Sequence, residues 1–181
     1  MNFKLHKLRA KIQLFSLTGK IGNLASKMTI SKNGNPVKNI LLCFPTDEPS
    51  FRVAAYSFRK FGDTMLKDVK IVLLIPSQYR KLLHFRYGQV ITYELNTEKN
   101  VITTLDEIRS VIKEIEFDMI IDLNPIFNFS ISQFISHVPA HYKIGFQSEF
   151  SDWFYNIQFN LSQSGILERE YHKINKLLTA S

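Results

Sequence analysis

From residue 38 onward, short apolar runs alternate with longer stretches in which apolar residues recur every three or four positions. That alternation predicts strand–helix–strand units and a parallel sheet. The runs at 39–44, 69–75, 90–93, 119–123 and 142–146 read as five strands, with a possible sixth at 155–159. They are continuously apolar rather than alternating, as expected of strands covered on both faces. Between them, Phe51, Ala54, Ala55, Phe58 and Phe61 mark a helix over 50–66, and a short helix follows at 78–85. Leu105, Ile108, Val111, Ile112 and Ile115 mark the next helix, which Thr104 and Glu107 open with the spacing of a capping box. Phe127, Ile131, Phe134 and Ile135 form the stripe of a helix that runs to Pro139, and a last helix covers 166–178. The expected fold class is therefore α/β, a doubly wound, mostly parallel sheet. In the common strand order 3-2-1-4-5, the order reverses between the first and fourth strands. Ligands bind at the carboxyl ends of the strands there.

The first 38 residues follow a different rule. Leu5, Leu8, Ile12 and Phe15, then Leu17, Ile21, Leu24 and Met28, have helical spacing with a shift at 16–19, so two short helices or one kinked helix are expected. The turn-rich stretch 31–36 reads as a linker. Residues 1–37 thus form a basic amphipathic helical segment and linker, and 38–181 a single Rossmann-like domain. A chain of 181 residues with 45% apolar content suits one core. Charge sharpens this division. Residues 1–38 carry Lys4, Lys7, Arg9, Lys11, Lys20, Lys27, Lys32 and Lys38 and no acid, whereas the rest of the chain, holding all 16 acidic residues, is close to neutral. Three readings of the segment stay open: an anionic membrane surface contacted through residues 1–30, with Lys4, Lys7, Arg9 and Lys11 foremost; a helix docked on the domain; or nucleic-acid binding. The last lacks any aromatic platform or recognition motif. No window is apolar enough to span a bilayer, and no signal-peptide core is evident. Cys43 is the single cysteine, which fits a reducing compartment. The expected location is cytoplasmic, with peripheral contact at the inner membrane.

Candidate chemistry concentrates in two loops at the expected crevice. The loop after the first strand offers Thr46, Asp47, Glu48 and Ser50, and the loop after the fourth offers Asn124, Asn128 and Ser130. Asp47 precedes Pro49 at a helix start, so it is either an N-cap or a general base. Asp118 marks a strand entrance, while Asp122 either bonds to loop amides or lines the site. Thr18-Gly19-Lys20 lacks the earlier glycine of a Walker A loop and no G-x-G-x-x-G follows the first strand, so no nucleotide cofactor is expected. His137 and His141 are four apart but separated by Pro139, and no metal is expected. No G-x-S-x-G elbow is present, and Cys43 within a strand is a poor nucleophile. Phe150, Trp153, Phe154 and Tyr155 cluster at a chain reversal as core, lid or interaction surface.

The stretch Phe117-Asp118-Met119-Ile120-Ile121-Asp122-Leu123, the helix over 130–138, and Tyr142-Lys143-Ile144-Gly145-Phe146 together resemble the N-terminal, acceptor-type domain of the family 9 glycosyltransferases, the lipopolysaccharide heptosyltransferase group. The resemblance covers about residues 38–178. It implies half of a GT-B architecture, a sugar or lipid-linked glycan as ligand, and a base at Asp47. There the family carries Gly-Asp; this chain carries Thr46-Asp47. It also implies a second, donor-binding Rossmann-like domain, which would begin about where this chain ends. The chain is accordingly expected not to catalyse transfer alone. It would be a degenerate relative, a half that works with a donor-domain partner or by self-association, or a fragment. A non-enzymatic interaction module is the reading from another class.

Overall fold

The computed structural model describes residues 3–22, 37–59, 69–84, 87–96, 101–161 and 165–179. Helix α1 (Phe3–Leu17) precedes β1 (Asn39–Cys43) and α2 (Glu48–Phe58). Strand β2 (Lys70–Pro76) leads through a 3-10 turn (Ser77–Leu82) to β3 (Gln89–Tyr93). A small antiparallel pair, β4 (Leu95–Asn96) and β5 (Val101–Ile102), then introduces α3 (Leu105–Ile112). The chain continues as β6 (Met119–Asp122), α4 (Phe129–His137), β7 (Tyr142–Phe146), β8 (Ile157–Phe159) and α5 (Leu167–Thr179). Six strands form one sheet in the order β3-β2-β1-β6-β7-β8, and every neighbouring pair is parallel. The order reverses between β1 and β6, as the common doubly wound order has it.

Both faces of the sheet are covered, which is why its strands read as unbroken apolar runs. Leu41, Cys43, Val72, Leu74 and Ile120 pack towards residues of α1, α3 and α4. Ile40, Leu42, Leu73, Ile75 and Ile121 pack on the other side with Phe51, Ala54 and Phe58 of α2 and Tyr171, Ile174 and Leu178 of α5. The stripe of α1 belongs to the first of these layers: Ile12 is fully buried, Leu5, Leu8 and Phe15 pack beside it, and the Phe15 ring lies 5.7 Å from Phe129 of α4. Lys11 places its ammonium 4.5 Å from the Phe129 ring centroid. Past the helix, Gly22 N–H donates to Ser136 Oγ at 2.9 Å. The later part of the N-terminal pattern, the linker, and the end of the helix expected over 50–66 lie outside the described residues.

Several local expectations are corrected. Thr104 caps no amide of α3; its hydroxyl oxygen accepts from Glu94 N–H at 3.2 Å, and Thr103 N–H donates to the Glu94 carbonyl at 3.0 Å. The two threonines close the β4–β5 pair, whose short strands the sequence pattern did not reveal. The helix expected at 78–85 is a 3-10 turn. Phe127 falls before α4 and stacks against Phe150 and Phe154 at centroid distances of 5.3 and 5.7 Å.

Strand β7 carries a lysine inside the fold. Lys143 is 5% exposed, and its Nζ donates to two carbonyls in the last turn of α4, Ile135 at 3.0 Å and Ser136 at 3.4 Å; the Ile135 carbonyl also accepts from Val138 N–H at 3.2 Å. Burial lowers its pKa from 10.5 to about 8. A cation with a folded pKa below its unfolded value opposes folding while charged, and that opposition fades as pH rises from about 8 towards 10.5. The stability of the wild type relative to Lys143→Met, measured by urea denaturation, should therefore increase across that window. A difference independent of pH would show that the buried ammonium is not strained.

Candidate functional site

The carboxyl ends of β1 and β6 are held together by one chain of hydrogen bonds. Its centre is Asp122, the last residue of β6, which sits beside Cys43 in the register and is 2% exposed. Asp122 Oδ1 accepts from the backbone N–H of Asn124 at 3.0 Å and from its side-chain amide at 2.6 Å; Oδ2 accepts from the Tyr155 hydroxyl at 2.6 Å. Burial pushes the Asp122 carboxyl above its ordinary pKa, while the bonds from Tyr155 and Asn124 pull it back. Cys43 and Tyr155 are pushed well upward, first by burial and then by the Asp122 charge. Cys43 is thus a packed thiol far from thiolate character.

The chain continues into the first loop. With its amide nitrogen directed at Asp122, Asn124 turns its oxygen outward, where it accepts from Thr46 N–H at 2.9 Å and from the Thr46 hydroxyl at 3.2 Å. Thr46 Oγ1 in turn accepts from the Asn128 amide at 3.0 Å. That leaves Asn128 Oδ1 to cap α4, accepting from the N–H groups of Ser130 at 3.1 Å and Ile131 at 3.2 Å. Ser132 closes the circuit, its hydroxyl donating to the Asn128 carbonyl at 2.9 Å and standing 2.8 Å from the Tyr155 hydroxyl. Thr46, Asn124 and Asn128 were expected to line a ligand site; here they bind one another. Ser130 is buried. The positions chosen from sequence do converge, but as a brace between loops.

Asp47 stands outside this circuit. It is the N-cap of α2, with extended backbone, and its Oδ1 accepts from Ser50 N–H at 2.9 Å. Pro49 follows in the first turn, where its missing N–H is no loss. No hydrogen bond engages the second carboxylate oxygen among the described residues, and Asp47 is only partly buried. Glu48 is exposed and pairs with Arg52 one turn along α2 at 2.6 Å, and Ser50 contributes its backbone N–H. Asp118, at the entrance of β6, accepts from the N–H groups of Lys38 and Asn39 at 2.8 and 2.9 Å and so works at the opposite end of the sheet. A groove of about 1050 Å³, lined in part by Phe117, Phe134, His137 and His141, also opens at that amino end.

Tyr155 is the member that reading the sequence missed. It was grouped with its aromatic neighbours, and its hydroxyl was given no role. The signal lay in β7: a Cβ on Gly145 would come within 2.6 Å of the Tyr155 ring, so the glycine makes the room in which the phenol reaches Asp122. Tyr171 of α5 acts similarly from the other layer, donating to the Leu123 carbonyl at 2.6 Å.

No family model matches the chain, and no curated protein matches it. Solved structures share its architecture, two of them as follows. With "E. coli heptosyltransferase WaaC with ADP", the TM-score is 0.59 at 10% identity, over 77% of this chain and 46% of that one. With the glycosyl transferase family 9 protein from Veillonella parvula DSM 2008, it is 0.62 at 16% identity, over 86% of this chain and 44% of that one. The fold is Rossmann-like, of the kind found in GT-B-type glycosyltransferases. The chain spans less than half the length of either relative.

Two outcomes test the brace and the cap. Asp122→Asn removes the charge that orients Asn124, and should lower stability by about 1–3 kcal/mol while speeding exchange of the Thr46 and Asn124 amides more than that of Leu41 or Ile120. Uniform acceleration would make Asp122 a general core residue. Asp47→Ala should cost about 1 kcal/mol in chemical denaturation, and Asp47→Asn, which keeps an N-capping oxygen, much less.

Proposed function

We propose that this chain is a glycosyltransferase-like, acceptor-side unit related to the heptosyltransferases, and that it does not complete sugar transfer by itself. The observation that carries this reading is the position of Asp47: a partly exposed carboxylate at the carboxyl end of β1, where the strand order reverses, with one oxygen committed to the α2 cap and the other unengaged. In transfer, that oxygen takes the proton of an acceptor hydroxyl as the hydroxyl oxygen bonds to the anomeric carbon. The electron pair of the breaking glycosidic bond leaves with the nucleoside diphosphate of the donor. Binding of that donor is assigned to a second Rossmann-like unit facing the crevice, in the same or another polypeptide. Support for this comes from the share of the relatives that the chain spans, 46% and 44%. A sugar or lipid-linked glycan of the lipopolysaccharide type is the acceptor class that goes with this reading.

A second reading has its own observation. Thr46, Asn124 and Asn128 satisfy one another, which suits a crevice that no longer binds sugar and a protein that works as an interaction module.

The two readings separate in one experiment. Titration with lipopolysaccharide core fragments, followed by NMR, should shift the amides of Asp47, Glu48 and Ser50 if the acceptor reading holds. In the presence of a donor-binding Rossmann-like domain, transfer should be detectable, and Asp47→Asn should reduce it by about 100-fold or more with folding intact. Transfer undiminished in Asp47→Asn would remove the base assignment, and absence of any shift would favour the interaction module.

A further inference from the structure

Helix α1 has two apolar faces, and the domain uses only one. The inner stripe of Leu5, Leu8, Ile12 and Phe15 is packed on the core. On the opposite side Ala10, Leu14 and Leu17 follow one another at spacings of four and three residues, on a line that Lys7 extends towards the amino end. Leu14 is 58% exposed and Leu17 86% exposed. Single exposed leucines need no explanation, but two successive ones on a helix already anchored by its other face form a continuous apolar line. Exposed basic side chains border it, Lys7 and Arg9 on the helix; Lys20, in the turn that follows, places its ammonium 5.3 Å from the Phe15 ring on the inner side. Residues 1–38 contain no acid. Glu149 of the domain shares a shallow cleft with Arg9, Ile12 and Trp153.

We propose that the outer face of α1 is a docking surface for an anionic lipid bilayer. Leu14 and Leu17 enter the boundary between headgroups and acyl chains, and Lys7 and Arg9 lie level with the lipid phosphates. Charge decides between the possible occupants. A second copy of the helix would bring Lys7 and Arg9 against their own kind. A nucleic acid would satisfy the cations and leave both leucines in water. An anionic bilayer satisfies both. The stripe from Leu5 to Phe15 ties the helix to the domain, which leaves the opposite side for lipid, so the helix lies in the plane of the interface with the sheet held above it. This inference does not depend on Asp47 acting as a base.

The full chain should co-sediment with vesicles of phosphatidylcholine containing phosphatidylglycerol, and far less with phosphatidylcholine alone. Leu14→Gln combined with Leu17→Gln should lower the partition coefficient by about tenfold or more, with an unchanged thermal midpoint because both side chains are exposed. Lys7→Gln with Arg9→Gln should lower it to a similar degree and weaken its dependence on salt. No retention on anionic vesicles, or retention unaffected by the leucine substitutions, overturns the proposal. Equal retention on neutral vesicles overturns its anionic part. A concentration-dependent dimer that the leucine substitutions abolish, in a chain that does not bind vesicles, assigns the face to a second copy and overturns it as well.

Discussion

A carboxylate shut away from water must be given hydrogen bonds by the protein, and the carboxyl end of this sheet is built around that demand. Asp122 is buried at the tip of β6, where an unpaired charge would cost several kcal/mol. Its two oxygens accept from three donors, and each donor imposes a condition on its own neighbourhood. The Asn124 amide has to point its nitrogen inward, so its oxygen points out and captures Thr46. Thr46, held there, presents its hydroxyl oxygen to Asn128, whose remaining oxygen starts α4. Tyr155 has to reach in across β7, which a side chain at position 145 would block. The two loops, a helix start and a glycine in a strand are consequences of one buried charge.

That dependence changes what the crevice can do. Polar side chains at the switch point of a doubly wound sheet are ordinarily read as ligand contacts. Here the donors run in one direction, from Asn128 through Thr46 and Asn124 to Asp122, and a ligand could recruit the groups that form these bonds only by taking a bond from the brace. Each such exchange gives up a bond worth about 1 kcal/mol for a similar one, so these residues supply position rather than affinity. Asp47 differs in kind. Capping α2 occupies one oxygen, and among the described residues no hydrogen bond engages the other. Capping also fixes the carboxylate's direction.

The architecture was legible because it follows from burial. Strands covered on both faces must be apolar throughout, so β1, β2, β6 and β7 announced themselves, and the strand order followed from the commonest winding. The elements that stayed hidden are those that burial does not specify. The two-residue strands β4 and β5 are too short for any period, and Thr103 and Thr104 look like a helix cap until the Glu94 backbone is seen to claim them. The candidate site was legible in place but not in role. Composition can show that Thr46, Asn124 and Asn128 share an end of the sheet, but only geometry shows which of them has a free hydrogen-bonding group left over. Lys143 and Gly145 carried the clearest misread signal. As part of a familial motif they look like sequence decoration, whereas the lysine donates to the last turn of α4 and the glycine admits Tyr155.

Helix α1 shows the same limit of periodicity in another form. Searching a helix for an apolar stripe assumes one stripe, and the assumption works when the opposite side is polar. In α1 the line through Leu14 and Leu17 opposes the line through Leu5, Leu8, Ile12 and Phe15, and the two largely cancel in any measure of one-sidedness. What breaks the symmetry is packing: the inner line meets Phe129 and the core, and Lys11 crosses the Phe129 ring in place of entering water alone. Once one face is fixed by the domain, the other is no longer free to turn inward. Its leucines must either stay in water or be covered by something outside the fold, and the basic residues beside them decide the sign of whatever covers them.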